Sequence, residues 1–444
     1  MKEGYQPPCE GLEQEQTLVQ LCSGSFRRQI AEGHVSPAPA PGMAAARVPP
    51  AELRGPCAVT QGTPAQQAPG KCSLSPTLPS ARKPTVQHGP VFTIFALGKR
   101  FTFVTEEEGT EAFFKSKDLN FEQAVQRAVE NAVSVPAEAF YQNHGNLYSM
   151  MKGKMGPSNL HMFTGTLCKE LHEHMAHLGT EGTGDLNDLV RNWSKSKKWL
   201  LKLFEKVVSD AERTNPSEAT SKTLLQHLLD NLQGKHLAPN YGLLMLWASQ
   251  ANALPIAFWT LVFILSYPSI YKKIMEDLAS VFGKAGKEKI EVSEEDLKKL
   301  PFIKWCTLEA IRLRSPGAIT KKVVNPIRIQ NFTIPAGDML MLSPYWLHRN
   351  PKYFPDPEMF KPDRWKEANL EKNAFLDSFV AFGGGKHQCP GRWFAIMEIQ
   401  LVVALFLYKY EFVLLDAVPK ESPLHLVGTQ QPMAPFRVQY KCRE

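Results

Sequence analysis

Phe382-Gly-Gly-Gly-Lys-His-Gln-Cys389-Pro-Gly391 is the stretch on which the fold of this chain turns. Three successive glycines let a backbone pass close to a flat ligand and take positive φ. Cys389 stands just ahead of a helical pattern, with Pro390 expected at the first helical position. A helix start offers unpaired N–H groups and positive potential. Both favour a thiolate over a thiol. A thiolate beside an open, flat surface is a metal-ligand arrangement. A lone cysteine near glycine would be read as a free buried thiol in a turn, but this spacing is more specific than that.

Two motifs stand upstream. Glu309-Ala-Ile-Arg312 places an acid and a base at i,i+3, on one helix face, where they can pair. Phe360-Lys-Pro-Asp-Arg364-Trp brings a second arginine. One E-x-x-R is common on helices. The three motifs in this order, the Glu309–Arg312 pair, then Arg364, then the Cys389 loop, are specific. The spacing F-x-x-G-x-x-x-C-x-G, with Phe382, Gly385, Cys389 and Gly391 in place, resembles the haem loop of the cytochrome P-450 superfamily. The superfamily often carries Arg where this chain has His387, which is read either as a partner of a haem propionate or as a solvated loop histidine.

That resemblance implies a mostly α fold with small β-sheets near its N-terminal side. It implies haem b, with iron held by the Cys389 thiolate, and a Glu309–Arg312–Arg364 network behind the haem. An axial thiolate pushes electron density onto iron and favours O–O cleavage. No flavin or nicotinamide motif accompanies the loop, so electrons are expected from NADPH through NADPH–cytochrome P-450 reductase. Its acidic face would dock near Lys386 and Arg392.

From Ala238 to Tyr271 there is no charged side chain. The run is long enough to span a bilayer. Gln250, Asn252 and Pro255 at its centre favour instead a helix buried beside a cofactor, kinked by Pro255. Aligning Ala248-Ser-Gln-Ala-Asn252 with the superfamily's distal-helix signature puts Ala251 at the usual acid and Asn252 at the usual alcohol. Asn252 is therefore the catalytic candidate, against a polar residue that only fills a kink. ASQANALPIAFW is similar to the branch holding sterol 7α-hydroxylases and prostacyclin synthase. Longer stretches, such as FGKAGKEKIEVSEEDLKKLPFIKWCTLEAIRLRSPG, resemble the vertebrate oxysterol 7α-hydroxylases from about His88 onward. They imply 7α-hydroxylation of 24-hydroxycholesterol in cholesterol catabolism and bile acid synthesis, on the cytosolic face of the endoplasmic reticulum membrane. A haem-binding but catalytically impaired form and a haem-thiolate isomerase remain as alternatives. The chain departs from that branch twice. It opens on a Pro-rich segment where the branch has an anchor. DLNDLVR also runs straight into NWSKSKKW, where the branch carries a further helical block.

Composition agrees with a large globular domain. The chain has 444 residues, 43% of them hydrophobic. The net charge of +7 is spread along it, which argues against nucleic acid and leaves an ordinary surface or a docking face for an acidic partner. Eight widely spaced cysteines without a CxxC pair make neither a disulfide scaffold nor a zinc ribbon, and fit a reducing compartment. Residues 1–85, rich in Pro, Ala, Gly and Gln, are expected to be mostly disordered, and residues 86–444 to form the haem-thiolate monooxygenase domain. The N-terminus has no apolar run, so no signal or anchor is expected there.

Local patterns predict a hairpin across VFTIFALG and FTFVT, turning at Gly98-Lys99-Arg100. They predict a capping box at Ser293–Asp296 and a helix over 300–314. Strands are expected at 327–329 and 339–342, joined by a turn over NFTIPAGD. A last helix is expected from about Gly391 to Tyr408.

Overall fold

The computed structural model describes residues 35–37, 89–96, 98–191, 205, 208–209, 224–367, 378–422 and 428–444. The disorder expected over residues 1–85 thus falls almost wholly outside the described residues. The described chain forms two compact units of interleaved segments. One holds Thr17–Val125 and Ala318–Leu347, the other Gln126–Gly317 and His348–Glu444.

The first unit is built on a six-stranded sheet. Its spatial order is Val35–Pro37, Val91–Ala96, Lys99–Val104, Met339–Leu342, Ile319–Val323 and Leu119–Asn120. Lys99–Val104 and Met339–Leu342 run parallel, and the other neighbours antiparallel. Phe92, Ile94 and Phe103 form a small core, the two phenyl rings stacked 5.1 Å apart. The hairpin register pairs Ala96 with Lys99, so Lys99 and Arg100 belong to the strand rather than the turn. Ile327–Ile329 pairs with Phe332–Ile334, not with the strand at 339–342, because the chain reverses at Gln330 (φ 52°). Part of the expected NFTIPAGD turn is therefore strand. Helix α1, Glu107–Lys115, completes this unit.

The helices of the second unit that matter below are α2 (Ala137–Lys154), α3 (His161–Leu178), α4 (Ala238–Gln250), α5 (Ala253–Ser266), α6 (Pro268–Phe282), α7 (Glu294–Lys298), α8 (Pro301–Arg314) and α9 (Arg392–Lys409). The capping box forms as the sequence predicts. Ser293 Oγ accepts the Asp296 N–H at 3.2 Å, and the Asp296 carboxylate accepts the Ser293 N–H at 3.1 Å. α5 is apolar on every side and packs against both α8 and α9, so it is buried almost throughout. A buried indole N–H still needs a partner. That of Trp259 donates to the Gln430 carbonyl at 2.7 Å. A three-stranded sheet of Tyr410–Leu414, Arg437–Cys442 and Glu181–Asp185 belongs to this unit, so the small sheets are not confined to the N-terminal part.

The uncharged run is two helices rather than one. Pro255 has no N–H to give the Ala251 carbonyl, and the helix opens at Ala251–Asn252. Among the described residues, Lys235–Ser266 is the one helical run long and apolar enough to cross a membrane, and it is mostly buried in its unit.

Candidate haem-binding site

The cysteine loop lies between the core and α9. Gly383 (φ 71°) and Gly385 (φ 63°) take the left-handed backbone. Residues with a side chain disfavour it. The Cys389 N–H donates to the Phe382 carbonyl at 2.8 Å, closing the loop. Phe382 packs against the core, Gly385 is exposed, and His387, Cys389 and Gly391 are half-buried. Helix α9 begins at Arg392, with Gly391 at its cap. Pro390 therefore sits in the turn ahead of the helix, not at its first position.

Cys389 is a free thiol. Burial pushes its pKa up, while the Gly391 N–H and the Arg392 charge pull it down. Burial outweighs both, with no metal at the sulfur. A metal cation bound there would supply the opposite charge, because a coordinated thiol loses its proton outright. Among the described residues no group of three or more His, Cys, Asp or Glu could hold a metal. A metal bound at Cys389 would therefore take its other ligands from outside such a side-chain cluster. A single half-exposed cysteine beside a glycine loop fits that requirement. Arg392 Nη1 donates to the Cys389 carbonyl at 3.0 Å, so this arginine is turned into the loop. Lys386 is exposed.

Behind the loop lies a buried charge cluster. Glu309 and Arg312 on α8 have no solvent exposure and pair in a two-pronged bridge, Oε2 to Nε at 2.9 Å and Oε1 to Nη2 at 2.8 Å. This is the strong, orienting form of an arginine–carboxylate pair. Arg364 Nε reaches Glu309 Oε1 at 3.0 Å. Two further donors were not apparent from the motifs. Trp365 Nε1–H donates to Oε2 at 2.9 Å, and the Lys361 N–H to Oε1 at 3.0 Å. Arg312 spends its other face on the carbonyls of His348, Pro357 and Met359. His348 connects this cluster to the cysteine loop. Its Nδ1–H donates to the Arg312 carbonyl at 3.2 Å, and its Nε2 accepts the Val380 N–H at 3.1 Å. Burial, with Arg312 and Arg349 beside it, holds the imidazole neutral, its pKa pushed down to about 3.

At the helix break, Asn252 is exposed. Its Oδ1 accepts the Thr429 N–H at 3.0 Å. That bond fixes the amide orientation. Gly428 is left-handed (φ 75°), and a side chain there would strike the same oxygen. The carbonyl half of Asn252 thus secures the 428–429 segment, and the Nδ2 donor is left toward the open side.

One residue that sequence reasoning missed lies nearby. Glu398 on α9 is buried, 7% exposed, and its Oε1 accepts from Gln250 Nε2 at 3.1 Å. Among the described residues, its Oε2 and the Gln250 Oε1 have no partner. Burial disfavours the charged form of a carboxyl. It lifts the Glu398 pKa to about 7, against the lowering effect of the Gln250 hydrogen bond. Its signal in the sequence was a lone acid inside the apolar run of α9.

The loop presents one cysteine and is linked through His348 to a two-arginine glutamate cluster, the arrangement that the three sequence motifs lead one to expect. The cytochrome P450 family model matches residues 161–439, and the chain belongs to that family. The 24-hydroxycholesterol 7-alpha-hydroxylase of Homo sapiens is 52% identical over 414 residues, 81% of this chain and 88% of the relative. The Mus musculus protein of the same name is 52% identical over 413 residues, with the same coverage.

Proposed function

We propose that this chain is a haem-thiolate monooxygenase that inserts one oxygen atom from dioxygen at the 7α position of an oxysterol, with 24-hydroxycholesterol as the first substrate to test. The carrying observation is the 52% identity to hydroxylases of that name, on a chain whose Cys389 thiol is free and half-buried. The relatives named above are hydroxylases and lend the isomerase reading no support. Residues 86–444 act as the catalytic domain.

Cys389 would hold the iron of haem b, with Phe382, Gly385 and Gly391 shaping the loop and His387 beside a propionate. The bound haem supplies dioxygen activation, and the thiolate supplies the electron density that favours it. The chain's residues do the rest. The Glu309–Arg312–Arg364 cluster, through His348, holds the loop from behind. Asn252 Nδ2 would offer a hydrogen-bond donor to a water, its Oδ1 being taken by the Thr429 N–H. Glu398 carries a proton near neutral pH and sits against Gln250, the last residue of α4 before the break. Electrons come from NADPH through NADPH–cytochrome P-450 reductase, which meets the exposed Lys386. An apolar substrate favours a place at the cytosolic face of the endoplasmic reticulum membrane.

The human relative aligns over 414 positions, whereas 81% of 444 residues is about 360, so roughly 50 positions have no counterpart here. We place most of them after Arg191, where residues 192–200 lie outside the described residues. The test is turnover of 24-hydroxycholesterol by the purified chain with NADPH and reductase. The expected product carries a new 7α-hydroxyl and matches NADPH consumed. A rearranged product made without NADPH would contradict the reading.

A further inference from the structure

α2 lies along the cysteine loop. One stripe of its face meets the loop residue by residue. The His144 ring stands 6.1 Å from that of His387, and the Tyr148 hydroxyl donates to the Gln388 carbonyl at 2.7 Å. Met155, just past the helix end, has its sulfur 3.9 Å from where a side chain on Gly391 would begin. Positions 144, 148 and 155 share a helix face.

The Tyr148 contact falls on one peptide plane, the unit joining Gln388 to Cys389. Its oxygen is held by Tyr148, and its N–H, that of Cys389, is held by the Phe382 carbonyl at 2.8 Å. The peptide on the far side of Cys389 is held by Arg392 Nη1 at 3.0 Å. A Cα whose two flanking peptide planes are both fixed cannot turn, so the direction of its Cα–Cβ bond is fixed as well. Phe382 and Arg392 are neighbours of the ligand in sequence. Tyr148 arrives from 240 residues away and is the contact that ties the ligand's orientation to the helical body of the unit.

We infer that Tyr148 is a positioning residue for the haem ligand: its hydroxyl, by fixing the Gln388–Cys389 peptide, keeps Sγ aimed at the iron. This rests on the Cys389 ligand assignment made above. Tyr148 touches neither substrate nor iron in this scheme and acts only through the loop. Losing one such bond to a backbone carbonyl changes an equilibrium on the order of fivefold.

The experiment compares haem-loaded native protein with Tyr148→Phe and Tyr148→Leu. Each is reduced under carbon monoxide, and the long-wavelength Soret band of the thiolate form is followed as it gives way to the short-wavelength band of the thiol form. Phe keeps the ring and loses only the hydroxyl. Y148F is expected to convert about fivefold faster than native protein, at equal haem content. Y148L is expected to convert at a rate close to that of Y148F, whatever its haem occupancy. A native rate in Y148F overturns the inference. So does a Y148L rate far above that of Y148F, because ring packing would then be the operative contact. Native protein with no long-wavelength band at all would overturn the ligand assignment instead.

Discussion

Two buried glutamates on neighbouring helices have opposite surroundings. Glu309 on α8 has no exposure and accepts five hydrogen bonds, from Arg312 twice, Arg364, Trp365 and the Lys361 backbone. Glu398 on α9 is 7% exposed and, among the described residues, accepts one, from Gln250, with its second oxygen bare. Both helices pack on α5. Burial alone therefore does not set what a carboxyl does. Filled with donors and cations, it becomes a rigid joint. Left half-filled, it becomes a group that takes up and releases a proton near neutral pH, the property that a proton-handling site needs.

The largest expected effect comes from breaking the filled site. Glu309→Ala leaves two arginines facing each other without their anion, and the loss is about 3–5 kcal/mol. Denaturant titration of the haem-loaded protein should show a much lower midpoint and poor haem retention. A native midpoint with full haem content would mean that the cluster carries no structural role.

A smaller effect is expected at the half-filled site, and it has a sign in pH. The folded pKa of Glu398, about 7, is above its ordinary value of 4.5. Stability from its protonated form is therefore fully present below 4.5 and is lost as pH rises through 7. The loss amounts to up to about 3 kcal/mol. Glu398→Gln keeps the shape and removes the proton. Its stability should vary less than that of native protein between about pH 5 and pH 8. An unchanged pH profile would remove Glu398 from the comparison. The smallest effect is expected from Gln250→Leu, which deletes the one donor that favours the charged form. It should cost about 1 kcal/mol at neutral pH and move the fall in stability to higher pH. A fall moved to lower pH would reverse the assigned cause.

These differences explain what could be read in advance. The cysteine loop, the E-x-x-R pair and Arg364 were legible because their spacing is short and local chemistry dictates it. The capping box and the Pro301 helix start were legible for the same reason. Trp365 on Glu309 could not be foreseen, since no rule of spacing tells a core tryptophan from a donor. Glu398 and Gln250 are 148 residues apart, and Tyr148 and Gln388 are 240 apart, so only the packed chain brings them together. The strand at 332–334 was missed because the tight reversal at Gln330 depends on one left-handed residue.

The most direct test of the whole account is the reduced carbonyl spectrum of the haem-loaded chain beside that of Cys389→Ser. The native protein should show the long-wavelength Soret band of a thiolate-ligated haem, and C389S should lose that band completely. Survival of the band in C389S would place the ligand elsewhere and contradict the account.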